Sequence, residues 1–231
     1  MALLSQPYRA LIIGSTGTIG SAFMELLQDK PTCSAVLGLS RQSPHPIDYQ
    51  NPDSIELAAK SLVDTGPFQL IINTIGVLHT DHWMPEKRLD ELNSDQLMEL
   101  MKINAIGPAL TIRHFSKLLD PSNSVMVTLS AKVGSIEDNR LGGWYSYRAS
   151  KAALNMLIKT ASIELARSKP NTALIALHPG TVNSRLSKPF RGEQIGRPPL
   201  DAASDMLQVI ESLNKEDSGS FISYSGERLP W

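Results

Sequence analysis

The sequence predicts an α/β fold, a single doubly wound and mainly parallel sheet flanked by helices on both faces. Three observations predict it. Short, almost uninterrupted apolar runs alternate with longer amphipathic stretches; a glycine-rich turn joins the first run to the first stretch; and no repeat, low-complexity tract or linker divides the 231 residues. That length suits one sheet covered on both sides, so residues 1–231 are expected to form one domain.

Strands are expected at residues 10–13, 35–39, 70–72, 124–129 and 173–177. Their near-continuous hydrophobicity is what a parallel strand buried on both faces requires. Helical patterns fill residues 19–28, 54–63, 95–119 and 145–167, with Asp53 or Ser54 available to cap the second and Asn93 or Ser94 the third. Such alternation implies right-handed crossovers. Segments 41–52, 76–93, 134–143 and 179–199 carry Pro or Gly and each follows a strand. They therefore fall at the carboxyl ends of the strands, where open α/β sheets bind ligands.

Composition narrows the function. With 42% hydrophobic and 19% charged residues, the chain can close a core without disulfides or metal. A formal net charge of −1 argues against attraction to nucleic acid or an anionic membrane. Cys33 is the only cysteine, which excludes an internal disulfide and a Cys-based zinc site and suits a reducing cytosol. The first eight residues lack the charged start and apolar stretch of a signal peptide, and no apolar run approaches the about 20 residues of a membrane helix. A cytoplasmic location is expected. His79 and His82 fit one helical face, but two ligands fall short of a metal site, and no metal is expected.

The first strand runs straight into Gly14-Ser15-Thr16-Gly17-Thr18-Ile19-Gly20, and a helix follows. Glycines let the backbone turn tightly and approach a pyrophosphate, while the helix start offers unpaired N–H groups and a positive dipole end. A glycine motif alone is weak; its position between strand and helix strengthens the reading of a Rossmann-type dinucleotide site. The second strand ends at Leu39-Ser40-Arg41. An acid there would receive the ribose hydroxyls of NAD, whereas Arg41 suits the 2′-phosphate of NADP. NADP(H) is therefore favoured over NAD(H).

Tyr147 and Lys151 lie near the start of the last long helical stretch. Residues four apart share a helix face, so phenol and ammonium can approach one ligand. A nearby ammonium is expected to favour phenolate and bring the tyrosine toward the working pH range.

These landmarks occur in order with Asn73-Thr74-Ile75-Gly76, Asn104, the stretch Gly142 to Asn155 containing Tyr147-Arg148-Ala149-Ser150-Lys151, Pro179-Gly180-Thr181-Val182, and the ending Gly226 to Trp231. Together they resemble the short-chain dehydrogenase/reductase family, and within it the C-factor (C-signal) and sniffer-type carbonyl reductases. The resemblance spans essentially the whole chain. It implies Tyr147 as general acid/base, Lys151 on the nicotinamide ribose, and Asn104 kinking its helix and holding a relay water. It also implies Asn73 and Gly76 at the adenine side of the sheet, Asp48 near the adenine amino group, and Pro179, Gly180, Val182 and Ser184 around the nicotinamide carboxamide. Residues 183–200 would form a substrate loop. A homodimer or homotetramer is further implied, as are a small carbonyl or alcohol substrate and neither nucleic-acid nor membrane partners.

Two departures from the family pattern stand out. Gly17 sits one place early in the first turn, and Ile13 replaces its leading threonine. More sharply, Ser130-Ala131-Lys132-Val133-Gly134 puts Ala131 where the family's substrate-orienting serine belongs. Ser130 should face the other side of its strand, and Ser135 would reach a pocket only if the loop bends. Trp144, Tyr145 and Trp231 are candidates for pocket walls or for packing, and His178 for a strand-end residue near the cofactor. The leading reading is an NADP(H)-dependent reductase of an aldehyde, ketone or quinone. Its rival is a dinucleotide-binding regulatory or C-factor-like signalling protein with weak or vestigial chemistry.

Overall fold

Successive side chains of the central strands enter two different cores. In the first strand, β1 (Tyr8–Ile13), Ala10 and Ile12 pack into one core while Leu11 and Ile13 pack into the other. This is the period-two consequence of burying a parallel sheet on both faces. The computed structural model describes residues 2–4 and 7–231. After β1 come α1 (Thr18–Gln28), β2 (Cys33–Leu39), α2 (Pro52–Ser61) and β3 (Leu70–Asn73). Then follow α3 (Ser94–Met101), α4 (Gly107–Phe115), β4 (Ser124–Leu129), α5 (Tyr145–Ser168), β5 (Thr172–His178), α6 (Gly192–Ile195), α7 (Pro199–Ser212) and β6 (Phe221–Ser223).

The sheet has the order β2-β1-β3-β4-β5-β6 with every pairing parallel, so the predicted doubly wound α/β class is the observed one. Phe23 and Leu27 of α1 and Met206 and Ile210 of α7 close one core. Ile55 of α2, Phe115 of α4, and Leu154 and Ile158 of α5 close the other. Among the described residues, no helix is long and apolar enough to cross a membrane.

Three local expectations change. The three-residue strand β6 was invisible in the sequence, being too short to show a period. The helix expected over 95–119 with a kink at Asn104 divides there: five residues, Lys102–Ile106, form a π-helical turn between α3 and α4. Pro108 explains the break, since it has no N–H to give the carbonyl four residues earlier, that of Asn104. Finally, neither Asp53 nor Ser54 caps α2; Pro52 occupies its first position, with Asn51 before it making no side-chain bond. Asn93 does cap α3, its Oδ1 accepting from the N–H groups of Asp95 and Gln96 at 2.8 and 3.1 Å.

Candidate active site

The connections leave the sheet in opposite directions from β1 and β3, and a crevice opens beyond the carboxyl ends of those neighbouring strands. Cavities of about 460, 640 and 520 Å³ follow one another along it. The first two share Thr16, Gly17, Arg41 and Gly76, and the last two share Ile19 and Ser184, so they read as one cleft.

At its centre lies the first turn. Gly14 has φ +88°, a left-handed conformation that favours glycine. Gly20 allows α1 to start hard against that turn, because a Cβ there would fall 2.1 Å from the Gly14 carbonyl oxygen. Gly17 precedes α1 and no side chain caps it, which leaves the first N–H groups free to meet an anion. Thr16, Gly17, Thr18 and Ile19 line the 640 Å³ cavity, as does Arg185, which the sequence had not singled out. Ser15 does not line the cleft; its hydroxyl donates to the Leu39 carbonyl at 3.2 Å, facing β2.

At one end, Arg41 and Asp48 line the 460 Å³ cavity with Ile47 and Tyr49. Arg41 is exposed, while Asp48 accepts the Gln50 N–H at 2.9 Å. Asn73 lies beneath the cleft rather than in its wall: it is fully buried, and its Oδ1 accepts the Ile75 N–H at 3.2 Å. It shapes the chain that carries Gly76 into the cavity wall.

At the other end, the 520 Å³ cavity is lined by Tyr147, Ala131, His178, Pro179, Gly180, Val182 and Ser184. The Lys151 ammonium lies 5.9 Å from the centroid of the Tyr147 ring and donates to the Leu129 carbonyl at 3.0 Å. A Cβ on Gly76 would stand 3.3 Å from Lys151 Nζ and 3.4 Å from Asn104 Oδ1, so these three residues converge just behind the wall. The electrostatics differ from the sequence expectation. Burial pushes the Tyr147 phenol above its ordinary range and holds the Lys151 ammonium down to about 8. Burial opposes charge on both groups, and it outweighs the expected lowering of the phenol by the ammonium.

Asn104 is fully buried in the π-helical turn, a common setting for functional residues. Its side chain accepts the Val77 N–H at 2.9 Å and donates to the Val77 carbonyl at 2.7 Å and to Ser150 Oγ at 3.1 Å. It thereby ties the segment after β3 to α5. The side chain is fully used, and Pro108 leaves its main-chain carbonyl without the usual helical donor.

Neither alternative serine stands in for Ala131. Ser130 lines the cavity, contrary to the alternation expected of it, but its hydroxyl donates to Asn155 Oδ1 at 2.6 Å. Ser135 donates to the Trp231 carbonyl at 3.2 Å and accepts the Asp138 N–H at 3.0 Å, outside the cavity wall. Trp144 does line the cavity, whereas Trp231 stacks on Phe221 with ring centroids 5.6 Å apart and Tyr145 is absent from the lining. Residues 183–200, expected to form a substrate loop, hold the turn Lys188–Phe190 and α6. Phe190 reaches across to Trp144, with centroids 4.9 Å apart, and to His79 at 6.0 Å.

Glu86 escaped the sequence reading, because an acid in a polar loop ordinarily faces water. It is 2% exposed, and its carboxylate accepts the Ser146 hydroxyl and the Ser146 N–H at the start of α5.

Residues 9–194 match the family model described as short chain dehydrogenase. The chain belongs to the short-chain dehydrogenase/reductase family. Within that family it is 34% identical over 186 residues to the 1-hydroxy-2-glutathionyl-2-methyl-3-butene dehydrogenase of Rhodococcus sp. (strain AD45), covering 80% of this chain and 78% of that one. It is also 34% identical over 170 residues to the C-signal of Myxococcus xanthus, covering 73% and 96%. Among solved structures, the carbonyl reductase Sniffer of D. melanogaster superposes with a TM-score of 0.83 at 20% identity, over 98% of this chain and 100% of that one. An NADPH-bound carbonyl reductase from chicken fatty liver gives 0.83 at 24% identity, over 98% and 100%. These two likenesses establish the shared fold. As a short-chain dehydrogenase/reductase, the chain is an oxidoreductase of small molecules with a dinucleotide-type fold.

Proposed function

We propose that this protein is an NADP(H)-dependent oxidoreductase that interconverts a carbonyl and an alcohol, acting as a single domain with Tyr147 as general acid/base. The observation that carries the reading is the convergence of Tyr147, Lys151, Asn104 and Gly76 at the end of a cleft that begins at Arg41. The residues present fit the dinucleotide: the left-handed Gly14 and the uncapped start of α1 suit a pyrophosphate, and exposed Arg41 suits a 2′-phosphate. The NADPH-bound state of a structural neighbour is in keeping with this.

When bound, the nicotinamide supplies a hydride to the carbonyl carbon. Tyr147 gives its phenolic proton to the carbonyl oxygen. Lys151, which donates to the Leu129 carbonyl, would hold a ribose hydroxyl of the bound cofactor and stabilise the phenolate so formed. Asn104, whose main-chain carbonyl loses its usual donor to Pro108, would hold the water that returns the proton from solvent. The apolar walls from Leu78, Trp144, Leu186 and Phe190 exclude other water and suit an aldehyde, ketone or quinone.

The test is a panel of benzaldehyde, acetophenone and phenanthrenequinone with NADPH, for the native chain and Tyr147→Phe. Turnover by the native chain, lost in the variant with NADPH affinity kept, supports the reading; equal turnover by the variant overturns it. A second reading, a dinucleotide-binding regulatory protein with vestigial chemistry, is favoured by Ala131 and by the likeness to C-signal. Tight NADPH binding with no turnover on any carbonyl would decide for it.

A further inference from the structure

The missing serine leaves the substrate oxygen one hydrogen-bond donor short, and the structure shows what lies beside the gap. Strands β4 and β5 run in register to Leu129 and Leu177, and the Ser130 N–H donates to the Leu177 carbonyl at 2.8 Å. Continuing that register, His178 is the neighbour of Ser130, one residue before Ala131, and all three line the cavity that Tyr147 also lines. Two nearby cations are engaged: Lys132 pairs with Asp138 at 3.6 Å, and the Arg148 guanidinium serves the carbonyls of Gly143, Val133 and Gly142 at 2.9, 3.2 and 3.2 Å. His178 differs. Its Nδ1 is buried with no hydrogen-bond partner among the described residues.

We propose that His178 is a catalytic residue whose Nε2–H donates to the substrate oxygen in place of the serine that Ala131 replaces. This rests on the reading of Tyr147 as proton donor. The tautomer follows from the buried nitrogen. A buried N–H without an acceptor is rarer and costlier than a buried acceptor without a donor, so the proton belongs on Nε2. That puts the donor on the ring edge away from the buried atom. Burial, with a smaller contribution from the Lys132 charge, holds the imidazole down to about 4, so it is neutral at pH 7. A neutral imidazole is a donor that does not compete with Tyr147 as an acid. During reduction the C=O π bond breaks, the nicotinamide hydride forms the C–H bond and the Tyr147 proton forms the O–H bond. His178 keeps its proton and strengthens its bond to the oxygen as negative charge develops there.

Two independent measurements test this. In the free protein, ¹⁵N–¹H correlation spectra of the histidine rings should show His178 as the Nε2–H tautomer; an Nδ1–H form overturns the proposal. In kinetics with phenanthrenequinone and NADPH, His178→Ala should lower kcat by roughly 10²-fold, with the NADPH Kd within about twofold. Adding Ala131→Ser to that variant should restore kcat at least about tenfold, and His178→Gln, which keeps a donor, should lose less than His178→Ala. A His178→Ala protein that folds and keeps its kcat, or one that Ala131→Ser does not rescue, overturns the proposal. If His178→Ala fails to fold, His178→Gln and the tautomer carry the test. Tyr147→Phe separates the two levels. Turnover surviving in that variant defeats the proposed function itself, whereas its loss beside an active His178→Ala defeats only the role of His178.

Discussion

The Glu86 carboxylate accepts the N–H of Ser146, at 3.3 and 3.2 Å to its two oxygens, and the two residues lie 60 positions apart in the chain. Ser146 is the second residue of α5 and Tyr147 the third. The residue before the helix, Trp144, is left-handed with φ 55°, and its N–H is held by the Glu86 carbonyl. A buried carboxylate at a helix start satisfies otherwise unpaired N–H groups and meets the positive end of the dipole. The loop after β3 therefore sets where α5 begins, and with it the position of Tyr147.

Glu86→Ala should destabilise the protein and misplace Tyr147 together. Losing the acceptor leaves the Ser146 N–H and hydroxyl buried and unpaired, a cost of about 2 kcal/mol, which lowers Tm by roughly 4–8 °C at this chain length. Thermal unfolding measures the first effect. The second should appear as a larger fall in kcat than rise in KM, with Glu86→Gln intermediate because its amide oxygen still accepts. A variant with native Tm and native kcat would remove Glu86 from the account.

Lys151 should make stability rise with pH in the alkaline range. Its pKa falls from 10.5 in the unfolded chain to about 8 in the folded one, by burial. Between those values the unfolded chain binds more protons, so stability increases as pH rises through the window. Below about pH 8 the full penalty of burying the ammonium is present, on the order of 3 kcal/mol. Lys151→Met should therefore raise Tm at pH 7 and flatten this alkaline rise while abolishing turnover. Unfolding of both proteins in urea across the window checks it; a less stable variant at pH 7 contradicts it.

Arg41→Ala should weaken NADPH binding by roughly 10- to 100-fold, the scale of a charge-assisted hydrogen bond to phosphate, while NADH binding changes by less than about twofold. Fluorescence titration with each nucleotide measures both. Equal loss for the two would mean that Arg41 serves the shared pyrophosphate instead.

Most of the sheet was legible because burial on both faces leaves a local mark. The apolar runs of β1 to β5 are readable from neighbouring residues alone, and so are the glycine turn and the spacing of Tyr147 and Lys151. The π-helical turn was half legible: the resemblance implied a kink at Asn104, but its form depends on which carbonyl loses its donor to Pro108.

What the amino-acid order determined by itself was the layering of the sheet, the position of the phosphate-type turn and the helix face shared by Tyr147 and Lys151, all set by contacts within a few residues. What only the tertiary structure decided was which groups meet across long separations. Glu86 reaches the start of α5, Lys151 rests on the Leu129 carbonyl, Ser135 is drawn to Trp231, and His178 lines the same cavity as Ala131. The physical reason is that burial and hydrogen-bond pairing in a closed core depend on partners distant in sequence, and those conditions set the protonation and direction of every polar side chain at the site.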